Sequence, residues 1–192
     1  MADITSNSVP IDNNIKLDEL ILAIANQDQK ALQMLYCQYR RSIFAVAYAV
    51  THDHQLSEDV IQDTIIRIWE NASSYRQGSS SKAWIHAIAR NQSLDIIRQR
   101  NHYASIEDFE NQPIPEQLIT RIEPDDRILL VAGLNSLNHD QAIVFVLKAI
   151  VGLSHLESSK MLDIPYRVVR YRYHQAISRL KEFLSNHDDA TI

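Results

Sequence analysis

The chain is short of the residues that make turns and covalent cross-links. In 192 residues it has three glycines, five prolines and one cysteine. So little turn-forming material does not suit a protein built from many short strands, and the composition favours helices. The one cysteine, Cys37, cannot form an internal disulfide bond, which agrees with a reducing compartment. Its apolar helical neighbours predict a packing role.

Long apolar runs and a secretion signal are also missing. The apolar stretch 143–151 is interrupted by Lys148, ends at Gly152 and is too short to span a membrane. Residues 1–8 lack both the basic end and the apolar core of a signal peptide. We therefore expect a cytoplasmic protein.

The apolar residues that are present recur at helical spacing, which predicts an all-α chain with two small domains. In the first domain the pattern predicts a helix from Leu17, a second from about Lys30 to Val50, a third capped by Ser57 and a fourth over about 82–100. In the second domain it predicts helices near 126–137, 139–151, 154–162 and 165–184.

Between these helical sets lies a stretch that cannot be a continuous helix. Residues 103–125 combine Pro113, Pro115 and Pro124 with many acidic side chains, which predicts an extended linker. The domain prediction is therefore a disordered N-terminus over 1–15, a first domain over 16–102, an acidic linker over 103–125, a second domain over 126–184 and a flexible tail over 185–192.

Charge is segregated along the chain although its net value is only −5. Residues 76–100 carry five basic side chains and one acidic side chain, and residues 165–181 carry five basic ones and no acidic one. Residues 103–126 carry seven acidic side chains and one basic one. Such blocks predict two nucleic-acid surfaces joined by an acidic segment, because local charge decides what binds where.

The C-terminal quarter has the pattern of a DNA-binding helix-turn-helix. A short helix over 154–162 is followed by a break at Asp163 and Ile164, and Pro165 is placed as the first residue of a longer helix. Along the longer helix one face is apolar, while Arg167, Arg170, Tyr171 and His174 share another. A basic outer face can also be an ordinary solvated surface, so the DNA-binding interpretation depends largely on the presence of the turn.

Two blocks of motifs resemble the extracytoplasmic-function group of the bacterial sigma-70 family of RNA polymerase sigma factors. The first block is Ser57-Glu-Asp-Val-Ile-Gln-Asp-Thr-Ile-Ile-Arg-Ile-Trp69, then Tyr75-Arg76, Ala83-Trp84-Ile85, Ile88-Ala-Arg-Asn91, Asp95 and Arg98. The second is Leu137, Phe145, Leu147, Gly152-Leu-Ser154, Glu157, Leu162, Val169, Arg170 and Ala176. The resemblance covers roughly residues 16–184, with the blocks in the family's order.

This resemblance implies a protein that binds core RNA polymerase and directs promoter-specific initiation. It implies a first domain that binds core polymerase and reads the minus-10 element as a melted strand, and a second that reads the minus-35 element as duplex. The acidic linker resembles the family's connector, whose carboxylates imitate phosphates in the path of nascent RNA. An anti-sigma factor is implied as a further partner.

The expected site residues fall into three sets. For core polymerase they are Asp59, Gln62, Asp63 and Arg67. For the minus-10 element they are Tyr75, Arg76, Lys82, Trp84, Arg90, Asn91 and Arg98. For the minus-35 element, Arg170, Tyr171, His174 and Gln175 are expected at base edges, and Arg167, Arg172, Arg179 and Lys181 at phosphates.

Some positions depart from the family pattern. Asn138 stands where proline is usual, Ser158 where an apolar residue is common, and Asp163 where glycine often makes the turn. Arg167 likewise replaces a frequent glycine, and Ser81 a frequent aromatic residue. Asp163 tolerates the left-handed conformation better than most residues, so the turn is expected to survive.

Alternative interpretations remain open at this point. Trp84 can be an ordinary core residue, and the same C-terminal module occurs in stand-alone transcriptional repressors and activators. His52 and His54 form a His-x-His pair without companion ligands, which favours ordinary loop histidines over a metal site. No phosphate loop, dinucleotide turn or metalloprotease helix occurs, so we expect no enzyme activity, no catalytic residue, no cofactor and no metal.

Overall fold

The computed structural model describes residues 16–103 and 131–188, and within these ranges the chain is helical and contains no strand. The predicted all-α class is confirmed. The predicted N-terminal disorder, the acidic linker beyond Tyr103 and the last four residues lie outside the described residues.

The first domain is a bundle of four helices. They are α1 (Leu17–Ala25), α2 (Gln29–Thr51), α3 (His54–Asn71) and α4 (Ser81–Tyr103), with a short 3-10 turn at Ala72–Ser74. Helices α2, α3 and α4 pack against one another, and α1 packs on α2 and on the 3-10 turn. The buried face of α1 forms one apolar cluster with Leu35, Ile68 and Ile85, which belong to the other three helices.

The N-terminus of α3 corrects a prediction. Ser57 does not cap the helix, because α3 begins at His54 and the Asp53 carboxylate accepts the Leu56 N–H at 3.0 Å. Ser57 is instead fully buried inside the helix, and its hydroxyl donates to the Asp53 carbonyl at 2.6 Å. Two residues therefore suffice to break α2 from α3, because His52 takes the left-handed conformation at φ 50°.

The second domain contains a helical stretch over 131–135 and three further helices. These are α5 (His139–Ala149), α6 (His155–Leu162) and α7 (Tyr166–Asp188), and both α5 and α6 pack against α7. Helix α7 runs past the boundary predicted at Leu184 and takes up the start of the predicted flexible tail. Pro165 precedes α7 and is not its first residue, and its carbonyl accepts the Val168 and Val169 N–H groups.

Reciprocal capping boxes begin α5 and α6. The Asn138 side chain accepts the Gln141 N–H at 2.9 Å, and the Gln141 side chain accepts the Asn138 N–H at 3.4 Å. Ser154 and Glu157 repeat the arrangement at 3.1 and 2.7 Å. The departure at Asn138 therefore has a structural use, because asparagine is a good N-cap and satisfies N–H groups that have no partner within the helix.

The two domains pack directly against each other, which the sequence interpretation did not anticipate. Helix α2 lies against α5, and residues of both domains share one apolar cluster. At one end of the contact the Tyr48 hydroxyl donates to the Asn135 side-chain oxygen at 2.9 Å. Beside it the His52 and His139 rings meet edge to face, with centroids 4.4 Å apart.

Leu35 provides a test of the first core. Its side chain is fully buried between α1 and α2, whereas Gln33 on the same helix is exposed. We expect Leu35→Ala to lower the free energy of unfolding by about 2–5 kcal/mol, because it leaves a cavity. Gln33→Ala, the control, should change it by less than about 0.5 kcal/mol. Urea unfolding of the full chain measures both, and equal midpoints would contradict this packing.

Candidate nucleic-acid and polymerase interfaces

The predicted minus-10 loop joins the 3-10 turn to α4 and is mostly exposed. Arg76, Gln77, Gly78 and Ser79 all face solvent. Gly78 has φ 84°, a conformation that L side chains rarely adopt, and no atom lies within 4 Å of where its Cβ would be. The loop therefore has the exposed backbone and the room that an extruded base needs.

Tyr75 is not available as an outward contact in this structure. It is 7% exposed, its hydroxyl donates to the Asp18 carboxylate at 2.6 Å, and its ring meets the edge of Trp84. Burial, followed by the hydrogen bond to Asp18, raises the pKa of Tyr75. Tyr75 therefore anchors the loop to α1, which corrects its expected place among the DNA contacts.

Trp84 is partly buried and packs on the first apolar cluster, as the alternative core interpretation expects. Two residues further on, His86 is 1% exposed, with its Nδ1 atom 2.7 Å from the Lys82 carbonyl and its Nε2 atom 2.9 Å from the Ser42 hydroxyl. Burial lowers the pKa of His86 to about 4, so it is neutral near neutral pH. Sequence reasoning missed this buried hydrogen-bonded group.

A cationic face continues along α4. Lys82, Asn91 and Arg98 are exposed and Arg90 is half-buried. The pKa of Arg90 is lowered by burial first and then by the charge of Arg98, so the two guanidinium groups repel each other. An anion placed between them would relieve that repulsion, which suits a DNA phosphate. Asp95 offsets only part of it, through an exposed ion pair with Arg98 at 3.2 Å.

The helix-turn-helix is formed as the sequence predicts. Asp163 ends α6 in the left-handed conformation at φ 54° and ψ 45°, so it takes the place that glycine often fills. The Ser159 hydroxyl donates to the Ile164 carbonyl at 2.6 Å, and the Ile164 N–H donates to the Ser159 carbonyl. These bonds fix the direction in which α7 leaves the turn.

The outward face of α7 carries most of the expected minus-35 residues. Arg167, Arg170, Tyr171, His174 and Arg179 are exposed, and Tyr171 keeps 63% of its surface. An exposed aromatic ring among cations is the composition expected of a face that meets a base edge and phosphates.

Two of the expected minus-35 residues point elsewhere. Arg172 forms an ion pair with Asp140 of α5 at 2.5 Å, and its side chain is 27% exposed. Gln175 accepts a hydrogen bond from Gln141 of α5 at 3.2 Å and donates one to the Tyr171 hydroxyl at 2.7 Å. In this conformation both side chains hold α7 against α5, which corrects their assignment to phosphate and base contacts.

The structure adds His155 to this surface. It begins α6, its ring meets that of Tyr173, and its pKa is lowered by burial and then by Lys148, Arg170 and His174. The cationic field of the recognition helix therefore extends onto α5 and α6. Sequence reasoning missed this because the residues are separated along the chain.

The expected polymerase-binding residues share one exposed face of α3. Asp59, Gln62, Asp63 and Arg67 all lie at the surface, and Arg67 is 3.5 Å from Glu70. Ile66 lies among them and is 55% exposed. The sequence interpretation did not single it out, although its spacing from Gln62 and Asp63 places it on that face. Ile66 alone does not mark an interface, but on the predicted polymerase face it is an apolar side chain that binding would bury.

The described residues give no support to a metal site or a membrane helix. Within 16–103 and 131–188, no group of three or more His, Cys, Asp and Glu side chains could hold a metal ion. Across the same residues, no helix has the length and apolar character needed to cross a membrane.

Family comparisons agree with the two-domain layout. The model of sigma-70 region 2 matches residues 35–103, and the model of sigma-70 region 4 matches residues 127–180. The extracytoplasmic-function sigma factor SigE of Mycolicibacterium smegmatis is 30% identical over 87% of this chain and 68% of its own length. SigX of Bacillus subtilis is 24% identical over 81% of this chain and 84% of its own.

Solved structures give the same fold. The sigma factor RpoE of Bartonella quintana, in complex with the anti-sigma factor NepR, matches with a TM-score of 0.64 and 24% identity over 81% of this chain and 98% of that one. CnrH, in complex with the cytosolic domain of CnrY, matches with a TM-score of 0.62 and 22% identity over 88% of this chain and 97% of that one.

These matches define a two-domain RNA polymerase sigma factor. The chain belongs to the extracytoplasmic-function group of the sigma-70 family. It is a regulatory DNA-binding protein, and nothing in the matches supports a stand-alone repressor.

Adjacent serines in α6 provide a matched test of the turn. The Ser158 hydroxyl is buried without a hydrogen-bond partner, whereas the Ser159 hydroxyl bonds to Ile164. We expect Ser158→Ala to raise the free energy of unfolding by about 1 kcal/mol, since it removes an unsatisfied polar group. Ser159→Ala should lower it by about 0.5–1.5 kcal/mol. Denaturant unfolding distinguishes the two, and effects of the same sign would contradict these contacts.

Proposed function

We propose that this sigma factor binds core RNA polymerase through the exposed face of α3 and reads its promoter at two separate surfaces. The loop at 76–81 and the cationic face of α4 receive the melted minus-10 strand. The outward face of α7 reads the minus-35 element in the major groove. The protein acts as a cytoplasmic specificity subunit without catalysis of its own.

The observation that carries this proposal is the placement of charge. The α4 and α7 faces present arginines without an equal number of acids, although the whole chain is negative. The charge of Arg98 contributes to the lowered pKa of Arg90, and Lys148, Arg170 and His174 contribute to that of His155, so cations lie close together on both faces, which supports the proposal. DNA phosphates supply that anion at each face.

The two promoter surfaces suit different forms of DNA. Helix α7 is a continuous exposed helix beside a tight turn, which fits the width of the major groove. The minus-10 surface is a loop followed by cations spread over several turns of α4, which fits a single strand with extruded bases. Base edges on that strand become fully readable only after the duplex opens.

A dedicated anti-sigma factor is a further proposed partner. The sigma factor RpoE of Bartonella quintana was solved in complex with the anti-sigma factor NepR, and CnrH with the cytosolic domain of CnrY. The fold shared with them supports a similar mode of control for this chain.

Reconstituted transcription tests the function directly. Purified core polymerase should begin transcription at a specific set of genomic sites only when this chain is added, and sequencing of transcript starts identifies them. Those sites should share elements near minus-35 and minus-10. Transcript starts unchanged by the added chain would reject the proposed function.

Arg170 and Arg179 separate base reading from phosphate binding. Both are exposed on α7, but Arg170 lies near its N-terminal end, where base edges are met. At one minus-35 position, Arg170→Ala should reduce the free-energy preference for the matching base by about 1–3 kcal/mol. Promoters with other bases at that position should then be used more readily.

Arg179→Ala is the matched control and should weaken initiation to a similar degree on all promoter variants, with a smaller dependence on salt. Initiation by the reconstituted holoenzyme on a set of single-base promoter variants measures both. If Arg170→Ala leaves the order of preference among those variants unchanged, the assignment of Arg170 to a base edge is wrong.

Ile66 tests the polymerase face. Its exposed side chain is expected to become buried on binding, so Ile66→Ala should weaken core affinity by about 1–2 kcal/mol, which is roughly tenfold. Gln33→Ala, exposed on α2, is the control and should leave affinity unchanged. Competition between labelled and unlabelled chains for core polymerase gives the affinities. Equal values for both variants would place the interface elsewhere.

A further inference from the structure

The packed arrangement of the two domains cannot serve both promoter elements at once. Elements centred about 25 base pairs apart are separated by roughly 85 Å of duplex. In this structure α2 and α5 are instead in direct contact and share an apolar cluster. Reading both elements therefore requires the domains to separate, and the closed arrangement is an inactive one.

The closed arrangement also engages the start of the minus-10 surface. The Lys82 Nζ atom lies 3.8 Å from the position that a side-chain carbon on Gly152 would take. The pKa of Glu157 is lowered first by its hydrogen bonds to Ser154, and further by a hydrogen bond from Ser80 and the charge of Lys82. The second domain thus supplies a carboxylate where DNA is proposed to supply a phosphate.

A pair of histidines lies at the edge of this domain contact. His52 ends α2 and His139 begins α5, and their rings meet at an interplanar angle of 89°. The Nε2 atom of His52 is buried without a hydrogen-bond partner. A proton added to the ring would place a positive charge in a half-buried position between the domains, which is costly.

The surrounding groups do little to neutralise such a charge. The carboxylates next in sequence to the two histidines have other partners: Asp53 caps α3 and is 3.2 Å from Arg100, and Asp140 pairs with Arg172. Tyr48 and Asn135 hydrogen-bond to each other, and the His54 ring packs on Phe44. His139 lies at the N-terminus of α5, where the helix dipole also disfavours a cation.

We propose that His52, whose ring packs against that of His139, forms a proton-sensitive contact that holds the two domains closed while its ring is neutral and releases them when it is protonated. The consequence for promoter binding rests on the proposed function. The conformational change does not, because it takes place in the free chain.

The direction of the pH effect follows from linkage. Burial, followed by the charge of His139, lowers the pKa of His52 from its ordinary value of 6.5 in the closed form, and a hydrogen bond with Asn135 opposes this only in part. The open form therefore binds the proton more tightly. The closed form is therefore most strongly favoured above pH 6.5. As the pH falls below that value, the ratio of closed to open chains decreases by at most about tenfold per pH unit for each proton bound.

The chain offers a direct measurement of domain separation. Contrary to its predicted packing role, Cys37 is exposed in the first domain, and it is the one cysteine of the sequence. Ser178 is exposed on α7. Ser178→Cys therefore allows a donor and an acceptor dye to report energy transfer between the domains of the full chain, without polymerase or DNA. Transfer should be high at pH 7.5 and should fall as the pH is lowered to 5.5.

Histidine variants in the same labelled chain test the cause. His52→Asn keeps a residue that accepts the left-handed conformation, and His139→Gln alters an exposed position, so neither should disturb folding. The double variant should keep high transfer at both pH values, and each single variant should show a smaller fall. Gln33→Ala, exposed on α2 and outside every proposed binding surface, is the control and should behave as the parent.

Three results would overturn the proposal. They are a parent chain whose transfer does not change with pH, a double variant whose transfer falls as steeply as the parent's, and a parent chain with low transfer at every pH. Circular dichroism at each pH checks that the helices persist, so a fall in transfer cannot be mistaken for unfolding. None of these results depends on whether the chain starts transcription, so the two proposals fail separately.

Discussion

Burial of the C-terminal part of α2 on every side is the constraint on which the rest of the structure depends. Residues 45–50 are buried without a break, because α3 and α4 cover one side of the helix and α5 covers another. A helix that is apolar all round needs neighbours on all sides, whereas an amphipathic surface helix needs them on one. The first domain alone does not provide them. The same run of residues therefore holds the first bundle together and draws the second domain onto it.

This run shows where sequence reasoning succeeds and where it stops. Helical spacing was enough to predict α1 to α7 to within a few residues, since each presents an apolar face to a core. The left-handed Asp163 could be inferred because few other residues tolerate that conformation in a tight turn. The continuous apolar stretch in α2 was a signal that a second layer covers it. That signal was not used, because a single helix does not reveal which partner supplies the layer.

The site residues follow a similar rule. Outward positions on α3, α4 and α7 follow directly from periodicity, because the residues that are not on the apolar, buried face of a helix are the exposed ones. Contacts between elements that are distant along the chain do not, and they account for the corrections at Tyr75, Arg172 and Gln175. Each of these side chains finds a partner on another helix, at Asp18, Asp140 and Gln141 respectively. Residue type and local spacing contain no information about these contacts between helices.

Opening of the domain contact has an energetic cost that binding must offset. In the shared cluster α2 contributes Ile43, Val46 and Tyr48 beside the smaller Ala45 and Ala49, so separation exposes apolar surface. The polar contacts at its edge are a neutral hydrogen bond and a pair of rings, which add modestly to stability in water. The first domain keeps the separate apolar cluster of α1, Leu35, Ile68 and Ile85 when the contact opens. A large partner that binds α3 and a long DNA that binds α4 and α7 can offset the loss of the contact, because ligands that bind only the open form shift the equilibrium toward it.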